Sequence, residues 1–262
     1  MGVLNVTPDS FSDGGSFLDP ATAIEHGLRM AEDGADIIDV GGESTRPGSE
    51  GVPAEEELKR VLPVIEALAK KLAIPISVDT SKAEVARAAV KAGAAIVNDI
   101  SGLGFDEAMG AVVAGSGAGL VLMHIQGKPR DMQKDPHYDN VVLEVADSLR
   151  ESVERARAAG VEADRIAVDP GVGFGKTVAH NLAVLNNLAT FKQLGFPLVV
   201  GASRKSFIGK LDREAPADQR LPGSIAAAVA AVAGGADVVR VHDVAETRQA
   251  LAVARAIRGA GW

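Results

Sequence analysis

The sequence contains no cysteine, which excludes disulfide bonds and metal sites built from thiolates. Aromatic residues make up only 3% of the chain, with one Trp and one Tyr, so the core must be built from Val, Ile, Leu and Ala. No apolar run reaches the ~18 residues that span a bilayer, and no signal-peptide pattern opens the chain. These absences predict a soluble cytoplasmic protein without a membrane partner.

The sequence also has few basic residues relative to acidic ones. It contains 27 Lys and Arg and 35 Asp and Glu, which give a formal net charge of −8. We therefore exclude nucleic acid as a partner and expect an anionic substrate to meet a few locally placed cations. No linker or low-complexity tract divides the sequence, so residues 1–262 are predicted to form a single domain.

A short repeat marks the organisation of the chain. Gly34, Gly93 and Gly235 each begin the pattern Gly-Ala-x followed by two aliphatic residues, and each follows a helical stretch. The glycine is typical of a helix end, and the aliphatic pair is typical of the strand that comes next. This order of elements predicts an α/β protein.

Eight short, nearly continuous apolar segments predict eight parallel strands covered by helices. Eight strand–helix units in a chain of this length predict a (β/α)8 TIM barrel, with a doubly wound open sheet as the alternative. Loops rich in Gly, Ser, Asp and Pro follow the first two strands, at 8–17 and 41–53, and we interpret them as mobile lids. The predicted strands are residues 3–7, 36–40, 76–80, 95–100, 120–124, 166–169, 198–201 and 238–242.

Several helix boundaries carry recognisable signals. Asp19 precedes Pro20, as a capping residue precedes a proline in the first turn. Capping boxes are predicted at 81–84 and 243–246, and an amphipathic helix is predicted at 140–159. Pro63 falls inside the second predicted helix and is expected to kink it.

Polar residues interrupt the apolar segments where the predicted strands end. One such residue is usually a cap or a solvated contact, but the same placement on all eight strands indicates a functional rim. In a barrel of this kind the chemistry lies at the carboxyl ends of the strands. The rim residues are Asn5, Asp39, Asp79, Asn98, Asp99, His124, Asp169, Ser203 to Lys205, Arg240 and His242.

Strand alternation predicts which of these side chains enter the barrel mouth. Arg240 and His242 share a face and predict an anion site, while Asp79 and Asp169 are expected to point inward. Asn98 and its neighbour at 99 must point opposite ways, so only one of them belongs to the pocket. A ring of carboxylate, amide and lysine suits a flat heterocycle with both donors and acceptors.

The motifs together resemble the dihydropteroate synthases, a family of pterin-binding enzymes, over essentially the whole chain. The resemblance implies condensation of 6-hydroxymethyl-7,8-dihydropterin pyrophosphate with 4-aminobenzoate, giving 7,8-dihydropteroate and pyrophosphate. The matching segments are 1–15, 39–48, 79–82, 97–100, 123–124, 168–171, 201–207, 223–227 and 240–243.

The resemblance also assigns roles to individual residues. Asn98, rather than its neighbour, would hydrogen-bond the pterin ring together with Asp79, Asp169 and Lys205. Met123 and Phe174 would complete that part of the substrate site. Arg240, His242, Asn5 and Thr45 would hold the pyrophosphate, and Asn5 would ligate Mg2+. The residues that would order around the aminobenzoate are Phe11, Asp13, Thr45, Arg46, Pro47 and Ser206.

The mechanism that the resemblance implies is dissociative. Pyrophosphate leaves first, the cation is delocalised into the dihydropterin, and the aryl amine then attacks, so no strong general base is required. The family also implies a homodimer formed through helices in the C-terminal half. Most relatives carry a stretch before the first strand, often a hairpin under the barrel, and Met1 stands where they have an internal methionine.

Two other functions share parts of this pattern. A pterin-binding methyltransferase domain, which binds methyltetrahydrofolate, could share Asp79, Asn98 and Asp169. It would not need the second loop, at 44–47, or the pair Arg240 and His242. A non-catalytic paralogue of the synthase would be expected to have lost a pterin or loop residue, and none is missing from the motifs.

Overall fold

The computed structural model describes residues 1–7 and 19–260. Its strands pair in parallel, each with its neighbour in sequence, from the first strand to the sixth and from the seventh to the eighth. The strands are β1 Gly2–Asn5, β2 Ile38–Gly41, β3 Ile76–Asp79, β4 Ile96–Asp99, β5 Gly119–Met123, β6 Ile166–Asp169, β7 Val199–Val200 and β8 Val238–Val239.

Single bridges close these strands into a ring. Val168 of β6 bridges in parallel to Leu198, just before β7. Gly2 of β1 bridges to Val241, just after β8, and the backbone N–H of Val3 donates to the Val241 carbonyl at 2.9 Å. The eight strands therefore form a closed parallel barrel, which confirms the predicted fold and excludes the open sheet.

Helices cover the outside of the barrel. The helix α2 (Ala54–Lys71) shows how they pack: Val61, Val64, Ile65 and Leu68, three and four residues apart, are fully buried. The other helices are α1 Pro20–Glu32, α3 Ala83–Lys91, α4 Met109–Ser116, α5 Val141–Ala158, α6 Val178–Asn186, α7 Leu188–Lys192, α8 Ser206–Leu211, α9 Leu221–Ala233 and α10 Val244–Gly259.

The Gly-Ala repeat ends three of these helices in the same way. Gly34, Gly93 and Gly235 all adopt positive φ, which lets the chain turn out of the helix without a Cβ clash. After the first of them, the backbone N–H of Ala35 donates to the Met30 carbonyl at 2.9 Å, and the equivalent bond follows the other two glycines. This is the Schellman arrangement, and it directs each chain into the next strand.

Some element boundaries differ from the prediction. The strands β7 and β8 contain two residues each, so the predicted segments 198–201 and 238–242 are longer than the observed strands. Asp19 caps α1 as predicted, and Asn140, the first residue of the predicted helix 140–159, is the cap residue of α5. Pro63 lies inside α2, and the kink expected there stays a prediction.

Both predicted capping boxes are wrong. The cap position of α3 is Lys82, which makes no side-chain cap bond. The carboxylate of Asp243, at the start of α10, instead binds the Arg204 guanidinium through two oxygens, at 2.5 and 3.0 Å. Within the ranges 1–7 and 19–260, we find no helix both long and apolar enough to cross a membrane.

Candidate functional site

Two adjoining cavities open at the carboxyl ends of the strands. The outer cavity has a volume of about 440 Å³, the inner cavity holds about 20 Å³, and Phe174, Lys205 and Arg240 line both. The other predicted site residues divide between them. Asp79, Asn98, Met123 and Asp169 line the inner cavity, whereas Asn5, Thr45, Arg46, Pro47, Ser206 and His242 line the outer one.

Two predicted site residues, Phe11 and Asp13, lie outside the described residues. A larger cavity of about 540 Å³ lies elsewhere, against α9, α10 and the start of the chain, and it is lined mainly by aliphatic side chains such as Val229, Val232 and Leu251. It contains none of the predicted site residues, so we place the functional site at the two cavities of the barrel mouth.

Asp169 is positioned by the turn that follows β6. Its Oδ1 accepts the backbone N–H of Gly171 at 2.7 Å. Gly171 has φ +67°, and a Cβ there would lie 1.9 Å from the His124 carbonyl oxygen, so only glycine fits this turn. Burial raises the pKa of Asp169, although this N–H bond and nearby cations oppose the rise. The second carboxylate oxygen is left for a ligand in the inner cavity.

The structure separates Asn98 from Asp99 as strand alternation requires. Asn98 lines the inner cavity, and its Nδ2 donates to Asp39 Oδ2 at 3.1 Å. Asp99 turns the other way, and its two oxygens accept the backbone N–H groups of Ser101 and Leu103 at 2.8 and 2.9 Å. Asp99 therefore holds the loop after β4 and does not line the pocket.

Arg240 bridges two buried carboxylates at the base of the site. Its Nε donates to Asp39 Oδ2 at 2.6 Å, and its Nη2 donates to Asp79 Oδ2 at 2.7 Å. Burial opposes the charge on the guanidinium, but these carboxylates outweigh burial and raise the pKa of Arg240. Arg240 thus reaches into the inner cavity as well as lining the outer one.

The acids around Arg240 keep unused hydrogen-bonding capacity. Within the part of the chain that the structure describes, Oδ1 of Asp39 and Oδ1 of Asp79 are buried without a hydrogen-bond partner. Burial raises the pKa of Asp79 to about 7, and the Asp39 carboxylate adds to the rise while Arg240 opposes it. Buried unpaired acceptors are costly, and a ligand N–H would satisfy the one on Asp79.

Asp39 is a site residue to which the sequence analysis gave no role beyond the rim. It is fully buried, and its partner Arg240 is 201 positions away in sequence. The signal available in the sequence was a carboxylate inside an apolar strand, which is rare unless it is paired.

Lys205 stands at the junction of the two cavities. Its Nζ lies 3.9 Å from the centroid of the Phe174 ring, a cation–π distance. Burial and then the nearby charge of Arg240 lower the pKa of Lys205 to about 8, although the Asp169 carboxylate opposes the shift. The lysine can therefore present an ammonium group to a carbonyl oxygen bound in the inner cavity.

A second lysine supports the turn after β6 from behind. Lys176 is almost fully buried, and its Nζ donates to the carbonyls of Gly171 and Phe174 at 3.0 and 3.1 Å. The same nitrogen lies 2.9 Å from His124 Nδ1. Burial lowers the pKa of Lys176 to about 7, and burial followed by this lysine lowers that of His124 to about 3. His124 is thus a neutral structural partner.

His242 is held in the outer cavity by Ser203. The Ser203 hydroxyl accepts the His242 backbone N–H at 3.2 Å and lies 3.0 Å from the ring Nδ1. When the hydroxyl donates to Nδ1, the imidazole carries its proton on Nε2. Burial, and then the charges of Arg240 and Arg204, lower the pKa of His242 to about 3, so it is a neutral hydrogen-bond donor.

The second loop forms one wall of the outer cavity. Ser49 Oγ lies 2.6 Å from the Ser44 carbonyl and 2.7 Å from the Arg46 carbonyl, which folds the loop back on itself. The backbone N–H of Gly48 donates to the Pro129 carbonyl at 3.0 Å. These bonds place Thr45, Arg46 and Pro47 against the cavity.

The arrangement suits a ligand with a flat polar ring and an anionic tail. Acceptors lie deep, at Asp79 and Asp169, and cationic or N–H donors lie at the mouth, at Arg240 and His242. Asn5, Gly41 and Asp79 stand side by side in the register of β1, β2 and β3. In the described ranges 1–7 and 19–260 no three His, Asp or Glu side chains form a metal cluster.

Several known proteins are similar to this chain in fold and in sequence. The family described as "Pterin binding enzyme" matches residues 1–242. The dihydropteroate synthase of Synechocystis sp. is 50% identical over 257 residues, covering 98% of this chain and 89% of that protein. A structure of the Xanthomonas albilineans dihydropteroate synthase with 4-aminobenzoic acid has a TM-score of 0.93 and 48% identity, covering 99% of this chain and 93% of that one.

A second structure of the Xanthomonas albilineans dihydropteroate synthase, in complex with 7,8-dihydropteroate, has a TM-score of 0.89 and 45% identity over 99% of this chain and 93% of that one. The resemblance inferred from the motifs thus extends through the whole barrel. The chain belongs to the pterin-binding enzyme family, and within it to the dihydropteroate synthases.

Proposed function

We propose that this chain condenses 6-hydroxymethyl-7,8-dihydropterin pyrophosphate with 4-aminobenzoate, releasing pyrophosphate and forming 7,8-dihydropteroate. The observation that carries the proposal is the pair of adjoining cavities, one lined by buried acceptors and the other by cations and a polar loop. A substrate with a pterin ring and a diphosphate has the same division of chemistry along its length.

The pterin ring is assigned to the inner cavity. The second oxygen of Asp169 and the Oδ1 of Asp79 would accept hydrogen bonds from the amino and amide N–H groups of the ring. The Asn98 side chain can both donate and accept. The Lys205 ammonium would donate to the ring carbonyl. Because the inner cavity holds only about 20 Å³, the ring can enter only when lining side chains such as Lys205 or Arg240 move.

The diphosphate is assigned to the outer cavity, where Arg240 and the Nε2–H of His242 supply donors. Mg2+ fits this site as an ion that arrives with the diphosphate, since it takes few protein ligands and keeps phosphate and water oxygens. The amide oxygen of Asn5, at the end of β1, would hold it, and the ion would neutralise the charge of the departing pyrophosphate.

The residues of the site fit a dissociative reaction. Departure of pyrophosphate leaves a cation on the exocyclic carbon, which the electron-rich dihydropterin stabilises. The buried carboxylates of Asp79 and Asp169 would lie beside that ring and favour positive charge there. The aryl amine then attacks, and the released pyrophosphate takes the proton that the nitrogen loses as the C–N bond forms. The second loop residues Thr45, Arg46 and Pro47 would exclude water.

The decisive experiment is pyrophosphate release by the purified chain. With both substrates and Mg2+ we expect release that depends on aminobenzoate and matches the amount of dihydropteroate formed. Binding of both substrates without release would identify a non-catalytic paralogue. Methyl transfer from a methylated folate, without pyrophosphate release, would identify a methyltransferase domain.

We also propose that the chain acts in the cytoplasm as a homodimer formed through helices of the C-terminal half. Val253 and Ile257, four residues apart on α10, expose 55% and 70% of their surface. Exposed aliphatic side chains on one helix face favour association with a second copy. Light scattering after size-exclusion chromatography would measure a mass near twice that of the chain, and cell fractionation would test the location.

A further inference from the structure

The second loop is tied at its base by one carboxylate. Glu43 lies near the start of the loop, and its Oε2 accepts the backbone N–H of Val52 at 2.9 Å, nine residues further on. The same oxygen lies 2.5 Å from the Nζ of Lys82. One side chain therefore connects the start and the end of the loop and attaches both to the segment that follows β3.

Lys82 is anchored in turn by a buried acid. Its Nζ lies 2.5 Å from Glu57 Oε2, on α2, and Glu57 is completely buried. Among the described residues, Glu57 Oε1 is a buried oxygen without a hydrogen-bond partner. Burial opposes the charge on the ammonium, but bonds to both acids outweigh it and raise the pKa of Lys82.

This cluster of two acids and one cation is a poor source of stability. Removing charges from water costs about as much as their mutual attraction returns, so a buried ion pair contributes little to folding. Geometry is the more specific contribution. The three residues belong to separate parts of the fold. Glu43 lies in the second loop, Lys82 lies between β3 and α3, and Glu57 lies in α2. Their bonds fix the loop relative to the barrel.

We propose that Glu43, Lys82 and Glu57 are positioning residues, a loop-anchoring cluster that holds Thr45, Arg46 and Pro47 against the outer cavity for the second substrate. The inference rests on the proposed function of that cavity. It assigns a role to the lysine of the Asp79-Thr-Ser-Lys82 motif, which does not line either cavity. Precise placement matters because small displacements of binding groups cost large factors in rate.

The main test is Glu43→Ala. It removes both bonds of the loop base but leaves the ion pair of Lys82 with Glu57, so no buried charge loses its last partner. We expect the KM for aminobenzoate to rise at least tenfold, and the KM for the pterin pyrophosphate to rise by a clearly smaller factor, because only Thr45 of this loop is expected to contact the diphosphate. Glu43→Gln, which keeps an oxygen acceptor, should recover most of the lost aminobenzoate affinity.

A matched control is available on α2, the helix that carries Glu57. Glu55 forms an exposed ion pair with Lys59, at 2.7 Å, two positions before Glu57. Glu55→Ala should alter neither KM. If the melting temperature shows that Glu43→Ala does not fold, the double variant Lys82→Met, Glu57→Gln replaces it, because it removes the cation and the buried acid together.

The outcomes separate the two proposals. Absence of pyrophosphate release from the wild-type chain would reject the proposed function. An active wild-type chain whose folded Glu43→Ala variant keeps its aminobenzoate KM, or loses affinity for both substrates equally, would overturn the role of the cluster and leave the reaction in place.

Discussion

Asp169 shows how a single side chain is divided between structure and ligand. One oxygen is committed to the Gly171 N–H, so an asparagine can keep that bond only by turning its NH2 group into the inner cavity. In the Asp169→Asn variant, the NH2 donor would then face the N–H donors of the pterin ring, and neither would have an acceptor. Each buried donor left unpaired costs about 1–3 kcal/mol, so calorimetry should show pterin affinity falling tenfold or more.

The control is Asp99→Asn, because that carboxylate caps the loop after β4 and does not line either cavity. It should lower the melting temperature and leave pterin affinity unchanged. Equal affinity of the Asp169→Asn variant and the wild type would remove Asp169 from the pterin site.

Lys176 should give the protein a pH-dependent stability. Burial lowers its pKa from 10.5 to about 7, so between these values the unfolded chain binds more protons than the folded one. Unfolding free energy from this group must therefore rise with pH from about 7 to 10.5, at up to ~1.4 kcal/mol per unit. Lys205 contributes a smaller rise of the same sign above about 8.

In Lys176→Met this contribution is absent, and urea unfolding at pH 7, 8, 9 and 10 should show a flatter increase than in the wild type. The comparison uses slopes, so it does not depend on how much stability the variant loses at neutral pH. Parallel curves would show that Lys176 keeps its proton in the folded state.

Alternation in the sequence placed Arg240, His242, Asp79 and Asp169 on inward faces, and the other site residues were expected from the family resemblance. Arg240 and His242 share one face of their predicted strand and line the outer cavity. Alternation also required Asn98 and Asp99 to point in opposite directions, so assigning Asn98 to the pocket directed Asp99 away from it. The pairing of Asp39 with Arg240 could not be predicted, because it depends on how far the guanidinium extends across the closed barrel. The contact of Ser203 with His242 was missed because it joins residues that follow two neighbouring strands and lie 39 positions apart in sequence.

At the scale of elements, the second loop is predicted to serve binding rather than folding. Arg46 is exposed and lines the outer cavity. Arg46→Ala should reduce aminobenzoate affinity and turnover about tenfold or more, while the unfolding free energy stays within roughly 0.5 kcal/mol of the wild type. Kinetics and urea unfolding of the same preparation measure both. A large loss of stability with normal kinetics would make the arginine a structural contact instead.

The helix ends show where local sequence rules stop. Gly34, Gly93 and Gly235 were recognisable because the turn after each helix is made from neighbouring backbone atoms. The capping box expected at 243–246 failed because Arg204, 39 residues earlier in the chain, takes both oxygens of Asp243. A charge pair of that kind competes successfully with a neutral backbone donor, and no local pattern reveals it.

For the whole molecule, we predict that the two substrates bind with positive coupling. Aminobenzoate has few groups to bind, and each loop residue that it orders costs on the order of 1 kcal/mol. If pyrophosphate and Mg2+ order the loops first, aminobenzoate or a sulfonamide should bind about 5–150-fold more tightly in their presence. Aminobenzoate must then tighten pyrophosphate by the same factor.

Calorimetric titrations of each ligand, alone and with the other present, measure this coupling in both directions. Unequal factors would show that the two titrations do not report the same states. Equal aminobenzoate affinity with and without pyrophosphate would contradict the lid interpretation of the loops, while the assignment of the inner cavity to the pterin ring would stand.

The bridge from Arg240 to Asp39 and Asp79 has a consequence for the heat of binding. If pyrophosphate, bound without the pterin ring, draws the guanidinium outward, Asp79 loses the cation that lowers its pKa, and that pKa rises above about 7. Near neutral pH the carboxyl then takes a proton from the buffer as pyrophosphate binds. The measured enthalpy should vary with the ionisation enthalpy of the buffer, and affinity should increase as pH falls toward 7. An enthalpy that is identical in PIPES and Tris would show that the bridge stays closed and that the anion binds above it without protonating Asp79.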